Sequence, residues 1–164
     1  TLFPSLLALS EWKGRSGKDF LTAYLIGLQA GGTVGACASL DHYLAGWHAT
    51  STLGHIESAA ACARMLGLDE LRVRYALGIG ATQSSGLKRV FGTMCKPFHA
   101  GKVSREGVLS GFLAQGGFTS SKRMIEGELG LLDVLTENAN EKVVLDRLGA
   151  HWYVMDLSIK PYPT

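Results

Sequence analysis

Five small residues at intervals of four constrain the fold of this chain more than any other feature. They are Ala23, Gly27, Gly31, Gly35 and Ser39, and they lie within an uncharged stretch. Residues four apart share one face of an α-helix, so these positions form a ridge of very small side chains. Each glycine costs a helix about 1 kcal/mol relative to alanine. We therefore predict a helix here that a second helix crosses at close range.

A membrane span is the alternative for the same stretch, because residues 20–40 carry no charge and have GxxxG spacing. Tyr24, Gln29 and Thr33 lower its apolarity, and no second segment of this kind follows in the sequence. We favour a buried central helix and expect no membrane partner.

The composition predicts one domain with a substantial core. Of the 164 residues, 46% are hydrophobic, which is enough to form a core in a chain of this length. The net charge of +2 comes from scattered residues and argues against a nucleic-acid partner. Three cysteines without a CxxC pair, Cys37, Cys62 and Cys95, are typical of free thiols in a reducing compartment. With no secretory signal pattern at the start, we expect a cytoplasmic location.

Helical patterns cover most of the chain and predict an all-α fold. Ser16 and Asp19 have the spacing of a capping box, which opens a helix that runs to about Ser39. Asp69 is a typical helix N-cap, and Gly67 before it is a typical helix end. Apolar periodicity and helix propensity predict further helices over 2–9, 53–66, 70–84, 122–126 and 138–148, and another from Lys102 along the apolar run 103–118.

Residues 151–160 differ from the rest because large apolar and polar side chains alternate, which favours a β-strand. A single strand has no partner in this sequence. We therefore predict a helical domain over 1–149 and, over 150–164, the first strand of a second domain.

A basic cluster precedes the helix predicted from residue 102. Lys96, His99 and Lys102 lie within seven residues, and Pro97 biases Lys96 towards an extended conformation, so we expect no helix to run through it. The N-terminus of a helix attracts anions through its free N–H groups and its dipole. The cluster therefore predicts a carboxylate or phosphate site, with a solvated basic loop as the alternative.

Two further residues could join this cluster. His48 directly precedes another predicted helix start, and Lys160 ends the predicted strand. Two helix starts that converge on one anion would bring His48 and Lys96 together. Taken singly, His48 is more typical of a structural loop histidine than of a catalytic base, and Lys160 is more typical of a surface lysine.

Other chemistries fit the sequence less well. His42, His48 and His55 lack the i, i+4 spacing and the carboxylate expected of a zinc site. Cys95 has no His and Asn in the order expected of a cysteine nucleophile. There is no GxxxxGK[ST] or post-strand GxGxxG motif for a nucleotide.

Several motifs, taken together, resemble the MmgE/PrpD family, which includes 2-methylcitrate dehydratase, cis-aconitate decarboxylase and iminodisuccinate epimerase. The matching segments are Gly-Trp-His-Ala-Thr-Ser-Thr-Leu-Gly at 46–54, Ala-Leu-Gly-Ile-Gly-Ala-Thr-Gln-Ser-Ser-Gly at 76–86, Gly-Thr-Met-Cys-Lys-Pro-Phe-His-Ala-Gly-Lys at 92–102, Gly-Gly-Phe-Thr at 116–119 and Ser-Ile-Lys-Pro-Tyr-Pro at 158–163. They span nearly the whole chain in the family's order.

The resemblance implies a cofactor-free enzyme with a large helical domain and an α+β lid domain, usually a homodimer. Its active site lies between the domains and takes a small di- or tricarboxylate. By motif, His48 and Lys96 match active-site residues of the family, His99 matches another residue of the pocket, and Lys160 matches a lysine contributed by the start of the lid.

The implied chemistry agrees with the residue types. Dehydration, decarboxylation and epimerisation of such acids all build negative charge next to a carboxylate, which lysine stabilises. A histidine can move the proton at neutral pH. We predict His48 as the general acid/base and Lys96 as the electrostatic stabiliser, with His99 and Lys160 orienting the substrate.

The sequence departs from the family at Ala49, where a proline is usual, which loosens the turn after His48. The resemblance also implies that the chain covers a third to a half of a full-length member and lacks an earlier acidic, histidine-containing helix. The alternative to a lyase or isomerase is therefore a truncated, inactive family member that acts as a self-associating helical module.

Overall fold

Helices form the regular secondary structure of the computed structural model, which describes residues 1–159 and residue 161. Within those residues the β-structure is a single antiparallel bridge between Trp47 and Leu87, so the all-α prediction is confirmed. The helices are α1 Leu2–Lys13, α2 Gly17–Ala38, α3 Asp41–Leu44, α4 Ala49–Thr52, α5 Gly54–Leu66, α6 Glu70–Thr82, α7 Cys95–Gln115, α8 Leu131–Leu135 and α9 Lys142–Arg147, with 3-10 helices at Lys88–Val90 and Tyr153–Asp156.

Local capping residues begin and end the long helices as predicted. The Ser16 side chain accepts the Asp19 backbone N–H, and the Asp19 carboxylate accepts the Ser16 backbone N–H, which completes a capping box at the start of α2. Asp69 accepts the Arg72 backbone N–H at the start of α6. Gly67 ends α5 in the left-handed conformation, at φ 70°. These boundaries follow from interactions between residues at most four positions apart.

The centre of the fold is α5, which contacts α1, α2, α6 and α7. Its residues 58–63 are all buried. Because five of these six residues are alanine or serine, neighbouring helices approach the α5 backbone from several sides.

The ridge of small residues on α2 lies against α5, as predicted. A Cβ atom added to Gly27 would lie 2.8 Å from the Glu57 carbonyl oxygen and 2.9 Å from the Ala61 Cβ, and one added to Gly31 would overlap the Glu57 side chain. Real Cβ atoms do not approach backbone atoms this closely, so only glycine permits this helix crossing.

By length and composition α2 could also cross a membrane, and among the described residues it is the one helix that meets this criterion. Its glycine face is buried on α5, while Leu21 on another face is exposed. We keep the interpretation of α2 as a core helix because a neighbouring helix covers its small-residue ridge.

The prediction that no helix runs through Pro97 is wrong, because α7 begins at Cys95 and contains Pro97 as its third residue. A residue in the first turn of a helix has no intrahelical acceptor for its N–H, so proline sacrifices no hydrogen bond there. Lys96, His99 and Lys102 therefore lie on the first two turns of α7 rather than before it.

The predicted strand over 151–160 is also wrong for the described residues, because Tyr153–Asp156 form a 3-10 helix. A strand needs a partner strand for its backbone groups. Here the Gln29 side chain takes that place: its Nε2 donates to the His151 carbonyl at 3.0 Å, and its Oε1 accepts the Tyr153 N–H at 3.1 Å. The segment thus packs on α2, and the division into domains at residue 149 stays a prediction.

Shorter elements near the C-terminal end differ in their bounds. Residues 122–126 form turns instead of a helix, and the Met124 and Ile125 carbonyls accept the Leu131 and Leu132 N–H groups at the start of α8. The helix predicted over 138–148 is formed only over Lys142–Arg147.

Candidate active site

The backbone of His48 is fixed by a short pairing of two loops. The His48 N–H donates to the Gly86 carbonyl at 3.0 Å, and the Lys88 N–H donates to the Gly46 carbonyl at 2.9 Å. His48 is also the residue before α4, and its own carbonyl accepts the Ser51 N–H at 2.7 Å. Hydrogen bonds on both sides of His48 therefore fix the backbone position from which its imidazole extends.

The turn at 83–86 supports this pairing. Ser51 donates from its Oγ to the Ser85 carbonyl at 2.5 Å, and the Lys102 ammonium donates to the Gln83 carbonyl at 3.4 Å and to the Ser85 hydroxyl. Gly86 has φ +134°, and a Cβ there would meet the Ser51 side chain, so this position requires glycine.

His48 and Lys96 line one cavity of about 440 Å³. Between them lies Phe91: its ring meets the His48 ring edge-to-face at a centroid distance of 4.9 Å, and the Lys96 Nζ lies 5.1 Å from its centre. The Phe91 ring therefore contacts both polar groups: it packs edge-to-face with the His48 imidazole, and its face attracts the Lys96 ammonium. The described lining residues are Tyr43, His48, Ala49, Thr50, Phe91, Lys96, Pro97 and Ala100.

His99 lies behind His48 rather than on the cavity wall. Its Nδ1 is 2.9 Å from the Nδ1 of His48, which is hydrogen-bond distance. Only 8% of His99 is exposed, and it is not among the residues that line the cavity. The two imidazoles therefore form a pair in which His48 faces the cavity.

The environment keeps this pair uncharged. Burial lowers the pKa of His48, and positive charge on His99 and Lys96 lowers it further. Burial also lowers the pKa of His99, with the Lys102 ammonium as the second cause. Because the ordinary histidine pKa is near 6.5, both rings are mainly neutral at neutral pH.

The N-terminus of α7 offers fewer free donors than the sequence predicted. The Cys95 N–H donates to the Thr93 hydroxyl at 3.3 Å, the Lys96 N–H donates to the Thr93 carbonyl at 3.1 Å, and Pro97 has no N–H. Attraction of an anion to this end of the helix therefore comes from the Lys96 side chain and the helix dipole.

The structure thus brings together three of the four predicted site residues. His48 and Lys96 share a cavity, and His99 contacts His48 from behind. Lys160 lies outside the described residues. Lys102, part of the same basic cluster, is directed to the 83–86 turn instead of the cavity. The chemical roles predicted for these residues remain predictions.

The other histidines of the sequence lie apart from this cavity. The His42 Nε2 is 2.8 Å from the Thr52 hydroxyl. In the described structure neither ring nitrogen of the fully buried His55 has a hydrogen-bond partner of good geometry, although the Ser51 and Thr52 backbones lie close enough to oppose the lowering of its pKa. Within residues 1–159 and 161, no group of three or more His, Cys, Asp or Glu side chains could hold a metal ion. Cys95 is an exposed free cysteine.

Sequence reasoning did not find Tyr43, Phe91 or the supporting role of the 83–86 turn. Tyr43 and Phe91 carry no motif that separates them from core aromatics. The Ser-Ser-Gly sequence at 84–86 does indicate a turn, but not the residues that the turn supports.

The fold and the cavity define a class of protein. It is an all-α protein whose helices pack closely through small residues, with a basic, histidine-containing cavity at the first turns of a long helix. A family model, the MmgE/PrpD N-terminal domain, matches residues 1–143. The chain belongs to the MmgE/PrpD family.

Relatives in this family carry the name cis-aconitate decarboxylase. The protein from Aspergillus terreus is 31% identical over 175 aligned positions, which cover 98% of this chain and 36% of the relative. The human protein is 28% identical, over 99% of this chain and 35% of the relative. A cis-aconitate decarboxylase-like protein from Aspergillus oryzae is 28% identical, over 97% of this chain and 36% of the relative. The chain is thus similar to lyase-type enzymes and spans about a third of their length.

Proposed function

We propose that the full-length protein is a cofactor-independent lyase or isomerase that acts on a small di- or tricarboxylate. The observation that carries this proposal is the shared cavity of His48 and Lys96, in which none of the described lining residues is acidic. An acid–base group and a fixed positive charge are the two components that the chemistry requires.

The charges of the lining residues distinguish this cavity from another of similar size in the molecule. A cavity of about 420 Å³ is lined by Asp41, Asp133 and Glu137 among others, and these carboxylates would repel a polycarboxylate. In contrast, the Lys96 ammonium supplies an attractive charge at the His48 cavity. The partly buried position of Lys96 strengthens this attraction, because screening by water is weaker there.

Lys96 would contribute most when negative charge builds on the carbon or carboxylate next to the reacting bond. A positive charge that is already in place stabilises this charge without reorganisation at the moment of reaction. Neutral His48 has a nitrogen lone pair available at neutral pH and can accept the proton that the reaction releases. In a dehydration that proton would go to the departing hydroxyl group, which leaves as water, and in an epimerisation a proton would return to the same carbon from the opposite face. A decarboxylation would instead release CO2 and take up a proton on the resulting carbanion.

The substrate is proposed from the relatives' names and the cavity's charge. cis-Aconitate is the first acid to test because the named relatives are cis-aconitate decarboxylases. 2-Methylcitrate and citrate are tricarboxylates like cis-aconitate, and iminodisuccinate, with two succinate units, completes the set to test. A homodimer in the cytoplasm is the proposed form of the full-length protein, with Lys160 as a further substrate-orienting residue.

The test is a substrate screen of the purified full-length protein. Each of the four acids is incubated separately with the wild type and with His48→Gln, and substrate loss and product are followed by NMR. We expect turnover of at least one acid by the wild type and a loss of at least 100-fold in His48→Gln. A folded wild-type protein that converts none of them would contradict the proposal and favour the inactive helical module.

A further inference from the structure

The contact between His48 and His99 constrains the protonation of both rings. Their Nδ1 atoms are 2.9 Å apart, and a hydrogen bond between two nitrogens needs one proton. In a neutral pair, one ring therefore carries its proton on Nδ1 and donates, while the other carries its proton on Nε2 and accepts. The two rings must adopt opposite tautomers.

The direction of this hydrogen bond decides what His48 offers to the cavity. If His48 donates, its Nε2, which points away from His99, keeps a free lone pair and can act as a base. If His99 donates, the His48 Nε2 carries the proton and can only donate. A reaction that begins with removal of a proton, as dehydration and epimerisation do, needs the first arrangement.

We propose that His99 is a positioning residue whose Nδ1 accepts the Nδ1–H of His48 and so leaves the Nε2 of His48 as the base that faces the cavity. This inference rests on the proposed function for its catalytic meaning, but the direction of the hydrogen bond can be tested without a substrate. It gives His99 a role in place of the predicted substrate contact. In this role His99 acts as a neutral counterpart of the carboxylate that orients a catalytic histidine in other enzymes.

The positive charges around the pair favour neutral forms of both rings. The ionisable groups that face the two rings are Lys96 and Lys102, both on α7, and Tyr43 of α3 across the cavity. A positive charge next to His99 opposes its protonation. A protonated His99 would have to donate from Nδ1, so Lys102 disfavours that state, just as Lys96 disfavours protonation of His48. With both rings neutral, it is the proton abstraction of the proposed function that selects His48 as the donor and His99 as the acceptor.

Packing prevents the His99 ring from moving away. The Cε1 of His99 lies 3.0 Å from the position that a Cβ on Gly86 would occupy, so the turn at 83–86 closes on the ring. Lys102 holds the same turn through the Gln83 carbonyl. On the other side, Phe91 limits rotation of His48 through its edge-to-face contact at 4.9 Å.

Two variants of His99 form a matched pair for the test. Asn and Leu have nearly the same shape, but the Asn amide oxygen lies close to the position of the His Nδ1 and can accept a hydrogen bond, whereas Leu cannot. His99→Asn should therefore keep the His48 tautomer, and His99→Leu should lose it. Both variants are made in the full-length protein, and circular dichroism and thermal unfolding establish that each one folds.

The first measurement is ¹⁵N NMR of the imidazole nitrogens at neutral pH, with His48 assigned by comparison with His48→Gln. We expect His48 to be protonated on Nδ1 in the wild type and in His99→Asn. In His99→Leu it should shift towards the Nε2–H form. A wild-type His48 that carries its proton on Nε2 would overturn the proposal, whatever the enzyme acts on.

The second measurement is steady-state kinetics with the acid that the wild type converts. His99→Leu should lower kcat about 10- to 100-fold, the range for loss of a residue that orients a ligand group, with KM changed less than threefold. His99→Asn should stay within about threefold of the wild type in both constants. Unchanged kcat in His99→Leu, or a raised KM in His99→Asn with an unchanged His48 tautomer, would overturn the positioning role and favour substrate contact.

A protein that turns over none of the acids would contradict the proposed function but would leave the NMR result standing. An inverted tautomer in an active enzyme would contradict the positioning role alone. The two proposals can therefore fail separately.

Discussion

The first two turns of α7, residues 95–102, are packed less closely overall than the rest of the same helix, residues 103–115. In the first part Gly101 has open space around it, Phe98 is 62% exposed, and Lys96 reaches a cavity. In the second part Val103 and Ala114 are fully buried. A Cβ on Gly107 would lie 2.7 Å from the Ser58 carbonyl carbon of α5.

One helix thus carries chemistry at its start and close packing along its remainder. The packed part sets the position of the helix. The first turns then place Lys96 at the cavity and Lys102 at the 83–86 turn. Because the two parts depend on different interactions, substitutions in them should have separable effects. The following predictions test that separation, from the largest expected effect to the smallest.

Lys96→Met should have the largest effect, on activity alone. It removes the positive charge and keeps most of the apolar stem next to Phe91, so kcat/KM should fall about 100- to 1,000-fold, as for loss of a group that stabilises transition-state charge. Steady-state kinetics and thermal unfolding of the full-length protein measure the two effects. Lys18→Met, at an exposed lysine in the first turn of α2, is the matched control and should change neither; equal losses in both variants would contradict the role of Lys96.

Gly107→Ala should have the next largest effect, on stability. The added methyl group would overlap the Ser58 side chain and crowd its backbone, and such overpacking costs about 1–3 kcal/mol. Urea unfolding should show this loss in the free energy of unfolding. If Gly107→Ala were as stable as the wild type, the close approach of α5 and α7 would not be needed.

The pKa of His48 should rise in Lys96→Met. In the wild type burial is the main cause that lowers it, and Lys96 is a smaller one, so removal of the ammonium moves the titration midpoint upwards but leaves it below 6.5. A ¹H NMR titration of the His48 ring measures both midpoints and needs no substrate. A midpoint above 6.5 in the wild type would mean that His48 is not held neutral by its surroundings.

His55→Leu should make the protein less sensitive to mild acid. Burial lowers the pKa of His55 in the folded state, so below pH 6.5 the unfolded chain binds a proton that the folded chain does not. Its contribution to stability is therefore fully present above pH 6.5 and is lost as the pH falls towards the folded pKa. Leucine does not titrate, so His55→Leu lacks this proton uptake. Its free energy of unfolding should therefore fall less steeply between pH 6.5 and 5 than that of the wild type.

At pH 7 the same variant should be as stable as the wild type or about 1 kcal/mol more stable, because it removes two buried nitrogens that have no hydrogen-bond partner of good geometry. Urea unfolding at a series of pH values gives both results. An unchanged acid slope would show that His55 is hydrated or paired in solution.

Gly101→Ala should have the smallest effect and the opposite sign from Gly107→Ala. Nothing lies within 4 Å of the added methyl group, so only the helix propensity changes, which favours alanine by about 0.5–1 kcal/mol. Urea unfolding should show this gain. A loss of stability would mean that the first turns of α7 are packed as tightly as the rest.

The sequence predicted most of the long helices, because their ends depend on near neighbours. The Ser16–Asp19 capping box and the Gly67 helix end are formed by residues a few positions apart. It also predicted that α2 is crossed closely by another helix. The prediction fails at Pro97, because the effect of proline on the preceding residue indicates an interruption, whereas the first turn of a helix accepts proline without loss of a hydrogen bond.

The strand at 151–160 failed for a different reason. Alternation of apolar and polar residues indicates a strand only if another strand is available to pair with it, and Gln29 of α2 takes the backbone groups instead. That contact joins residues more than 120 positions apart, and no local pattern contains it.

The candidate site shows the same division. Residue types and the family resemblance select His48, Lys96 and His99 as candidates, because few side chains can move protons or stabilise anions. The 2.9 Å contact between the two histidines joins positions 51 residues apart, and it depends on the pairing of Trp47 with Leu87 and on the turn that Lys102 holds. Short-range interactions select helices and candidate residues, whereas the direction of a side chain is decided by groups that only the folded chain brings next to it.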